Sequence, residues 1–385
     1  MCYIPLHATD LPAPQIFVSL LVMSSTIISS SGYDIFIGAK VIEELNLFFN
    51  KPACKNAKLF VLVDENSLKH CLPVLSQKVG KIADASILEI ESGEASKNIE
   101  VCTRLWRALG ELGADRHSVL LNLGGGVIGD LGGFVASTYK RGIAYVNMPT
   151  TLLAQVDASV GGKVGVDLDH LKNEVGMFSA PEAVFIYPDF LKTLSRREMM
   201  SGFAEVVKHA LIAEAAYWEF IQGANVGDDS VWEILIEKSV RIKNEVVMAD
   251  PKEKDLRKSL NFGHTIGHAI ESYFLESSGK SLLHGEAVAI GMIAEAFISF
   301  SKNKITKEDL DRIRIFILNR FGHIEIESFA DHRLLELMSH DKKNSKGELN
   351  FTLLTGIGSC EVNKTADLSL VKEALKYYRE ALLHS

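Results

Sequence analysis

Ser118-Val119-Leu120-Leu121-Asn122-Leu123-Gly124-Gly125-Gly126-Val127-Ile128-Gly129-Asp130-Leu131-Gly132-Gly133 decides how the first half of the chain is read. A short run of branched apolar residues suits a buried strand. The glycines after it spell GxGxxG as Gly124, Gly126 and Gly129, between that strand and a helix whose first backbone N–H groups can hold a pyrophosphate. Further strand-like runs, Asp34–Gly38, Ala57–Asp64 and Ser86–Ile90, alternate with helical stretches between about Tyr33 and Tyr145. The alternation predicts an N-terminal α/β dinucleotide-binding domain built on a parallel sheet. Ligands of such sheets settle at the carboxyl ends of strands, so the loops after Val63, Ile90 and Leu123 are the expected cofactor positions.

Two features set this glycine turn apart from the usual first turn of a nucleotide fold. It comes late, and the next strand, Ala144–Asn147, ends without the acid that ordinarily holds a ribose. Asp64-Glu65-Asn66 and Ser92-Gly93-Glu94-Ala95-Ser96-Lys97 offer acids and amides at the same sheet edge. Downstream, Gly161-Gly162-Lys163 and Leu171-Lys172-Asn173 read as polar loop. The glycine pair lets backbone approach an anion, and Lys163 adds charge. No Walker spacing is present. From Pro181 to Leu194 the pattern changes to long helical periodicity. The expected division is a loose leader over residues 1–32, the α/β domain over 33–194, and a mainly α-helical metal- and substrate-binding domain over 195–385.

In the helical half, Ser195-Arg196-Arg197-Glu198 has the form of a capping box, and its helix would carry Glu205 and Lys208 on one face. Lys243 lies on a second helical stretch, and Arg257 and Asn261 lead into Leu260-Asn261-Phe262-Gly263-His264-Thr265-Ile266-Gly267-His268. His264 and His268, four apart, project from one helix face, while His284 opens another apolar segment that could run antiparallel. Two helices could then share a metal. A catalytic zinc keeps about three protein ligands, commonly with a carboxylate, and Glu205 among small and apolar neighbours is the best candidate. A metal beside a nicotinamide suggests alcohol oxidation. Leu349–Leu354 reads as a strand within otherwise helical sequence.

With 385 residues, 47% of them hydrophobic, the chain can bury two cores. The formal net charge of -8 comes without a basic run, so neither nucleic acid nor an anionic membrane is an expected partner. Five scattered cysteines without CxxC spacing suit a reducing compartment, and the cytoplasm is expected. Ile16–Met23 is too short to span a bilayer, and no Lys or Arg precedes it.

Gly124–Asp130, Pro149-Thr150-Thr151-Leu152-Leu153, Asp157, Gly161-Gly162-Lys163, Lys172-Asn173, Ala204–Lys208, Asn261–Thr265 and His284-Gly285-Glu286 together resemble the 3-dehydroquinate synthase family of sugar-phosphate cyclases. The resemblance runs from about Tyr33 to Ile357. It implies NAD and Zn2+ (or Co2+) as cofactors, with Glu205, His264 and His284 holding the metal and His268 beside it, handling protons and contacting phosphate. It implies NAD contacts from Asp64, Asn66, Glu94, Lys97, Gly125, Gly126, Val127, Asp130, Thr150, Thr151, Asp157, Lys172 and the Phe190-Leu191-Lys192-Thr193 turn. Lys163, Asn173, Lys208, Lys243, Arg257, Asn261, His268 and one of Lys342 or Lys343 would surround the substrate. Arg141 would reach a neighbouring subunit's site, which implies a homodimer. The implied reaction turns 3-deoxy-D-arabino-heptulosonate 7-phosphate into 3-dehydroquinate and phosphate, by transient oxidation, phosphate elimination, re-reduction and intramolecular aldol closure. Departures are modest: Leu171 stands where the family usually has glycine, and Val164 where threonine is usual.

Overall fold

In the computed structural model, which describes residues 25–168, 171–277, 282–339 and 348–381, the strand-like runs form one seven-stranded sheet. Its members are β1 (Thr26–Ser29), β2 (Asp34–Ile37), β3 (Leu59–Asp64), β4 (Ser86–Ile90), β5 (Val119–Gly124), β6 (Ala144–Pro149) and β9 (Ala183–Ile186), in the order β1-β2-β9-β6-β5-β3-β4. Every neighbouring pair is parallel except β1 with β2. β3 and β5 are buried and apolar apart from Asp64 and Asn122, because helices cover both faces. Phe60, Leu62 and Leu120 enter one core; Val61, Val63 and Leu121 enter the other. Helices α1 (Ile99–Glu111) and α2 (Gly126–Thr138) pack on the first of these faces. α2 comes so close that a Cβ on Gly132 would lie 2.0 Å from Asn122 Oδ1.

Three segments differ from the sequence reading. Thr26–Ser29, placed there in a leader ending at residue 32, is a paired edge strand. Ile28 is buried, and Asn244 donates to the Ser29 carbonyl at 3.0 Å, so contacts distant in sequence hold it. The stretch read as loop after Gly162 is a hairpin of β7 (Lys163–Leu168) and β8 (Leu171–Phe178). Glycine within a strand weakens its signal. Here Gly165 and Gly176 face each other, and a Cβ on either would come within 2.7 Å of the opposite backbone. Lastly, β9 lies inside the stretch taken as a transition, yet it sits between β2 and β6. The expected leader up to residue 24 lies outside the described residues, as do Lys342 and Lys343.

The second half is mainly helical, as expected. It contains α3 (Arg196–Ala213), α4 (Asp229–Ala249), α5 (His264–Ser277), α6 (His284–Ser301) and further helices. Leu349–Leu354 falls in β10 (Glu348–Gly356), which pairs with β11 (Ser359–Asp367). α5 and α6 are antiparallel and nearly touching. A Cβ on Gly291 would lie 1.9 Å from Gly263 O, and one on Gly267 would lie 3.1 Å from Ala287 O. One core runs from Ile35, Val184 and Ile186 of the sheet through Phe203 and Val207 of α3 to Val288 and Met292 of α6. The halves are therefore fixed against each other, with the sheet's carboxyl edge facing the helices. None of the described helices is long and apolar enough to cross a membrane. Cys54, Cys71, Cys102 and Cys360 are free thiols.

Candidate metal and cofactor site

Glu205 and Lys208 occupy adjacent turns of α3, and their side chains are only 1% exposed. His264 is the first residue of α5, His268 lies one turn further on, and His284 is the first residue of α6. The antiparallel helix pair brings the three rings together, with centroids 5.1, 5.3 and 5.6 Å apart. α3 crosses the start of α6 here. A Cβ on Gly285 would lie 1.9 Å from Ser201 O, and Arg197 holds Glu286 through two bonds of 2.7 Å. Those contacts fix the start of α6, and with it His284, against α3.

Glu205 Oε1 lies 3.5 Å from His264 Nε2 and 3.6 Å from His284 Nε2. These separations exceed a hydrogen bond. They are close to the about 3.4 Å separating two ligands on one tetrahedral ion with bonds near 2.0–2.1 Å. Oε1 is buried without a hydrogen-bond partner, whereas Oε2 contacts the Lys208 ammonium. His264 Nδ1 donates to Phe262 O at 3.0 Å and His284 Nδ1 to Glu271 Oε2 at 3.1 Å. Each ring is thus turned with Nε2 toward Glu205, the orientation a metal-ligating imidazole needs. These residues fit a divalent cation. Asp157, Glu205 and His209 also cluster, but Lys208 lies 3.5 Å from Asp157 Oδ1 and Lys243 2.8 Å from Oδ2, so ammonium groups already neutralise that pocket.

Charge follows from this packing. Burial would raise the Asp157 carboxyl, but Lys208 and Lys243 hold it well below the usual carboxylate range. Burial likewise opposes ionisation of Glu205, and the Lys208 ammonium outweighs it, keeping the acid ionised. Burial pushes His264 well down, so it is neutral. For His284 burial also acts downward, but Glu205 and Glu271 prevail and push it up to about 9.

That difference makes a prediction for pH. A cation entering between ionised Glu205, neutral His264 and protonated His284 displaces one proton, from His284. Affinity of the metal-free protein for Zn2+ or Co2+ is expected to rise about tenfold per pH unit below pH 9 and then to level off. Competition titrations at several pH values measure the slope. A flat profile between pH 7 and 8 would show that binding displaces no proton from His284 in that range.

The glycine turn is formed as expected: Gly125 precedes α2 in extended conformation, and Gly126 and Val127 open the helix. Thr150 N donates to Gly124 O at 2.9 Å, and Thr151 lies over the turn, 3.1 Å from where a Gly125 Cβ would be. At the adjoining strand ends, Asp64 caps the helix containing Asn66, and Glu65 accepts from Ser92 N at 2.7 Å. Lys97 bonds Asp130 at 2.7 Å and Asn173 at 2.5 Å. Phe190 and Leu191 are buried in two different cores, Lys192 pairs with Asp189, and Thr193 Oγ1 donates to Phe190 O. Lys163 meets Glu253, which also accepts from Asn261 at 3.1 Å. Arg257 is buried, donating to Pro251 O at 2.8 Å and Gly161 O at 3.1 Å.

Arg141 lies apart from all of these. It follows the far end of α2, about 20 Å from the glycine turn at 1.5 Å per residue, and lines a cleft of about 380 Å³ with Tyr145, Met177 and Glu182.

The 3-dehydroquinate synthase N-terminal family model matches residues 87–201, and the C-terminal model of the same family matches 202–344. A 3-dehydroquinate synthase of Parabacteroides distasonis is 42% identical over 330 residues, covering 85% of this chain and 93% of that protein. The chain belongs to the 3-dehydroquinate synthase family. The enzyme of that name from Thermoanaerobacter pseudethanolicus is 37% identical over 346 residues, covering 88% and 96% of the two chains. Among solved structures, a 2-deoxy-scyllo-inosose synthase with carbaglucose-6-phosphate, NAD+ and Co2+ aligns with TM-score 0.81 at 28% identity, over 93% of this chain and 99% of the other. The fold is also that of a 2-epi-5-epi-valiolone synthase from Streptomyces hygroscopicus, TM-score 0.78 and 24% identity, over 92% and 99% of the chains.

Within this family frame, two residues at the site had no role in the sequence reading. Glu271 accepts from His284 on one oxygen and from Lys172, at 2.6 Å, on the other. It thereby joins the metal candidates to β8. The signal was there: Glu271 follows His264 and His268 at i+7 and i+3, on the same helix face. Glu253 carried no such signal, because its partners come from β7 and from the turn before α5.

Proposed function

We propose that the protein converts 3-deoxy-D-arabino-heptulosonate 7-phosphate to 3-dehydroquinate and phosphate, by transient oxidation, phosphate elimination, re-reduction and aldol closure. The observation that carries this reading is Glu205 Oε1 within 3.6 Å of both His264 and His284 Nε2, in a chain of this family. Glu205, His264 and His284 would hold Zn2+ or Co2+, and NAD would lie along Gly125, Gly126, Val127, Thr150 and Thr151, with its far end toward Asp64, Asn66, Glu94 and Lys97. Bound there, the dinucleotide supplies a reversible hydride acceptor and the ion a lowered hydroxyl pKa. The chain's own residues position the substrate and neutralise its charge. Lys163, Asn173, Lys243, Arg257, Asn261 and His268 would surround phosphate and carboxylate, with Lys208 held between Asp157 and Glu205.

The test is phosphate release from the heptulosonate phosphate by protein supplied with NAD and Zn2+. Phosphate without net NADH is expected, and steady accumulation of NADH would instead point to an alcohol dehydrogenase. A second reading, another sugar-phosphate cyclase, draws on the likeness to 2-deoxy-scyllo-inosose synthase. The same assay with glucose 6-phosphate and with heptulose phosphates lacking the acid separates the two.

We further infer a cytoplasmic homodimer in which Arg141 serves the partner's site. The apolar side chains Val175, Met177 and Phe178 of β8 are 37%, 41% and 53% exposed near that cleft. Mixing inactive Arg141→Ala and His284→Ala proteins is expected to restore activity. Random pairing makes about half of the dimers hybrid, each with one complete site, or about a quarter of native sites overall. No recovery on mixing would mean that Arg141 does not serve the partner's site.

A further inference from the structure

Glu295 is the one acid of α6 buried without any cation to meet it among the described residues: it is fully buried, and its carboxylate accepts from Gly263 N at 2.7 Å on Oε2 and from Ile266 N at 3.1 Å on Oε1. Those two N–H groups flank His264. A helix start is usually capped by a short side chain from its own segment. Here the cap comes from the facing helix, three turns beyond His284, and reaches across at the point where the two backbones are closest. Gly263 has φ +79°, and a Cβ there would meet Met292 Cγ at 2.6 Å and Val288 O at 3.1 Å. Gly291 lies against Gly263 O, and Ser299 donates to Glu295 O while accepting from Leu354 N of β10. The peptide units on both sides of His264 are therefore held by α6, which also carries His284. Burial pushes the Glu295 carboxyl up to about 8, against the pull of those N–H groups. A hydroxyl would cap the helix without burying an acid, but it could not reach both N–H groups from α6.

We propose that Glu295 is a positioning residue for the metal site, holding the Gly263–Ile266 backbone so that His264 Nε2 keeps its direction relative to Glu205 and His284. The proposal rests on the reading that His264 is a ligand. Glu295→Gln keeps the volume but sets an NH2 group against one of the two N–H donors. Metal-free full-length variant, titrated with Co2+ and followed by its visible ligand-field bands, is expected to bind about 10- to 100-fold more weakly than native protein. NAD affinity, which depends on residues remote from Gly263, is expected to stay within about twofold. Glu295→Asp keeps both acceptors on a shorter arm and should fall between the two, which decides the case if the glutamine variant does not accumulate. Co2+ affinity and bands identical to native, with only a lowered Tm, would make Glu295 a structural cap and overturn the proposal. His264→Ala is the separate control: native Co2+ affinity in that variant would remove the ligand reading itself, independently of Glu295.

Discussion

His284→Ala is expected to give a folded protein that no longer retains Zn2+ or Co2+ and shows no measurable turnover. His284 stands at the first position of α6 with its side chain 26% exposed, so its removal leaves no large cavity. Glu271 loses one partner but keeps Lys172, and Gly285 and Glu286 still lock α6 to α3. Glu205 and His264 alone cannot close a three-ligand site. Outer-shell partners already cost about 10- to 100-fold in affinity, and loss of a direct ligand should exceed that. Metal content after dialysis, with circular dichroism to verify folding, gives the answer. A variant that keeps stoichiometric metal would take His284 out of the site.

Lys208→Met is expected to have the largest effect on stability. Lys208 is buried between Glu205 and Asp157, and burial alone would lower its pKa, yet those two carboxylates keep it charged. Methionine fills the same space without charge. Asp157 retains Lys243, but Glu205 loses its closest cation and keeps only His284, 3.6 Å away. Breaking a buried pair in this way costs about 3–5 kcal/mol, which chemical denaturation of the metal-free protein would register. Zn2+ should restore more stability to this variant than to native protein, because the ion supplies the charge that Glu205 has lost. A loss below about 1 kcal/mol would mean that Lys208 is not what keeps the Glu205 charge stable in the folded chain.

Local pattern exposed part of this site before any packing was known. The strand, glycine turn and helix of 118–133 are continuous in sequence, and so is their structure. His264 and His268 share a helix face because four residues make about one turn. The hairpin β7–β8 escaped because its signal is diluted by glycines whose purpose, backbone contact between strands, appears only once the strands are paired. The stretch after Met23 is strand-like, but that Thr26–Ser29 belongs to the sheet is not legible locally, because its partners, Asp34–Ile37 and Asn244, include one more than 200 residues away. Glu295 could not be recognised as a cap, since its helix start belongs to another segment.

The amino-acid sequence by itself determined the α/β and helical halves, the strand–glycine turn–helix of 118–133 and the shared helix face of His264 and His268, because each depends on spacings of a few residues, whereas Glu205 with His264 and His284 as the ligand set followed from the family resemblance. Only the tertiary structure decided which nitrogen of each ring faces Glu205 and that Lys208 is shared by two acids. Those depend on how α3, α5 and α6 cross, and the crossing is set by close backbone approach at Gly263, Gly285 and Gly291. Helix crossings are global packing outcomes, so a local pattern names the side chains but not the point where they meet.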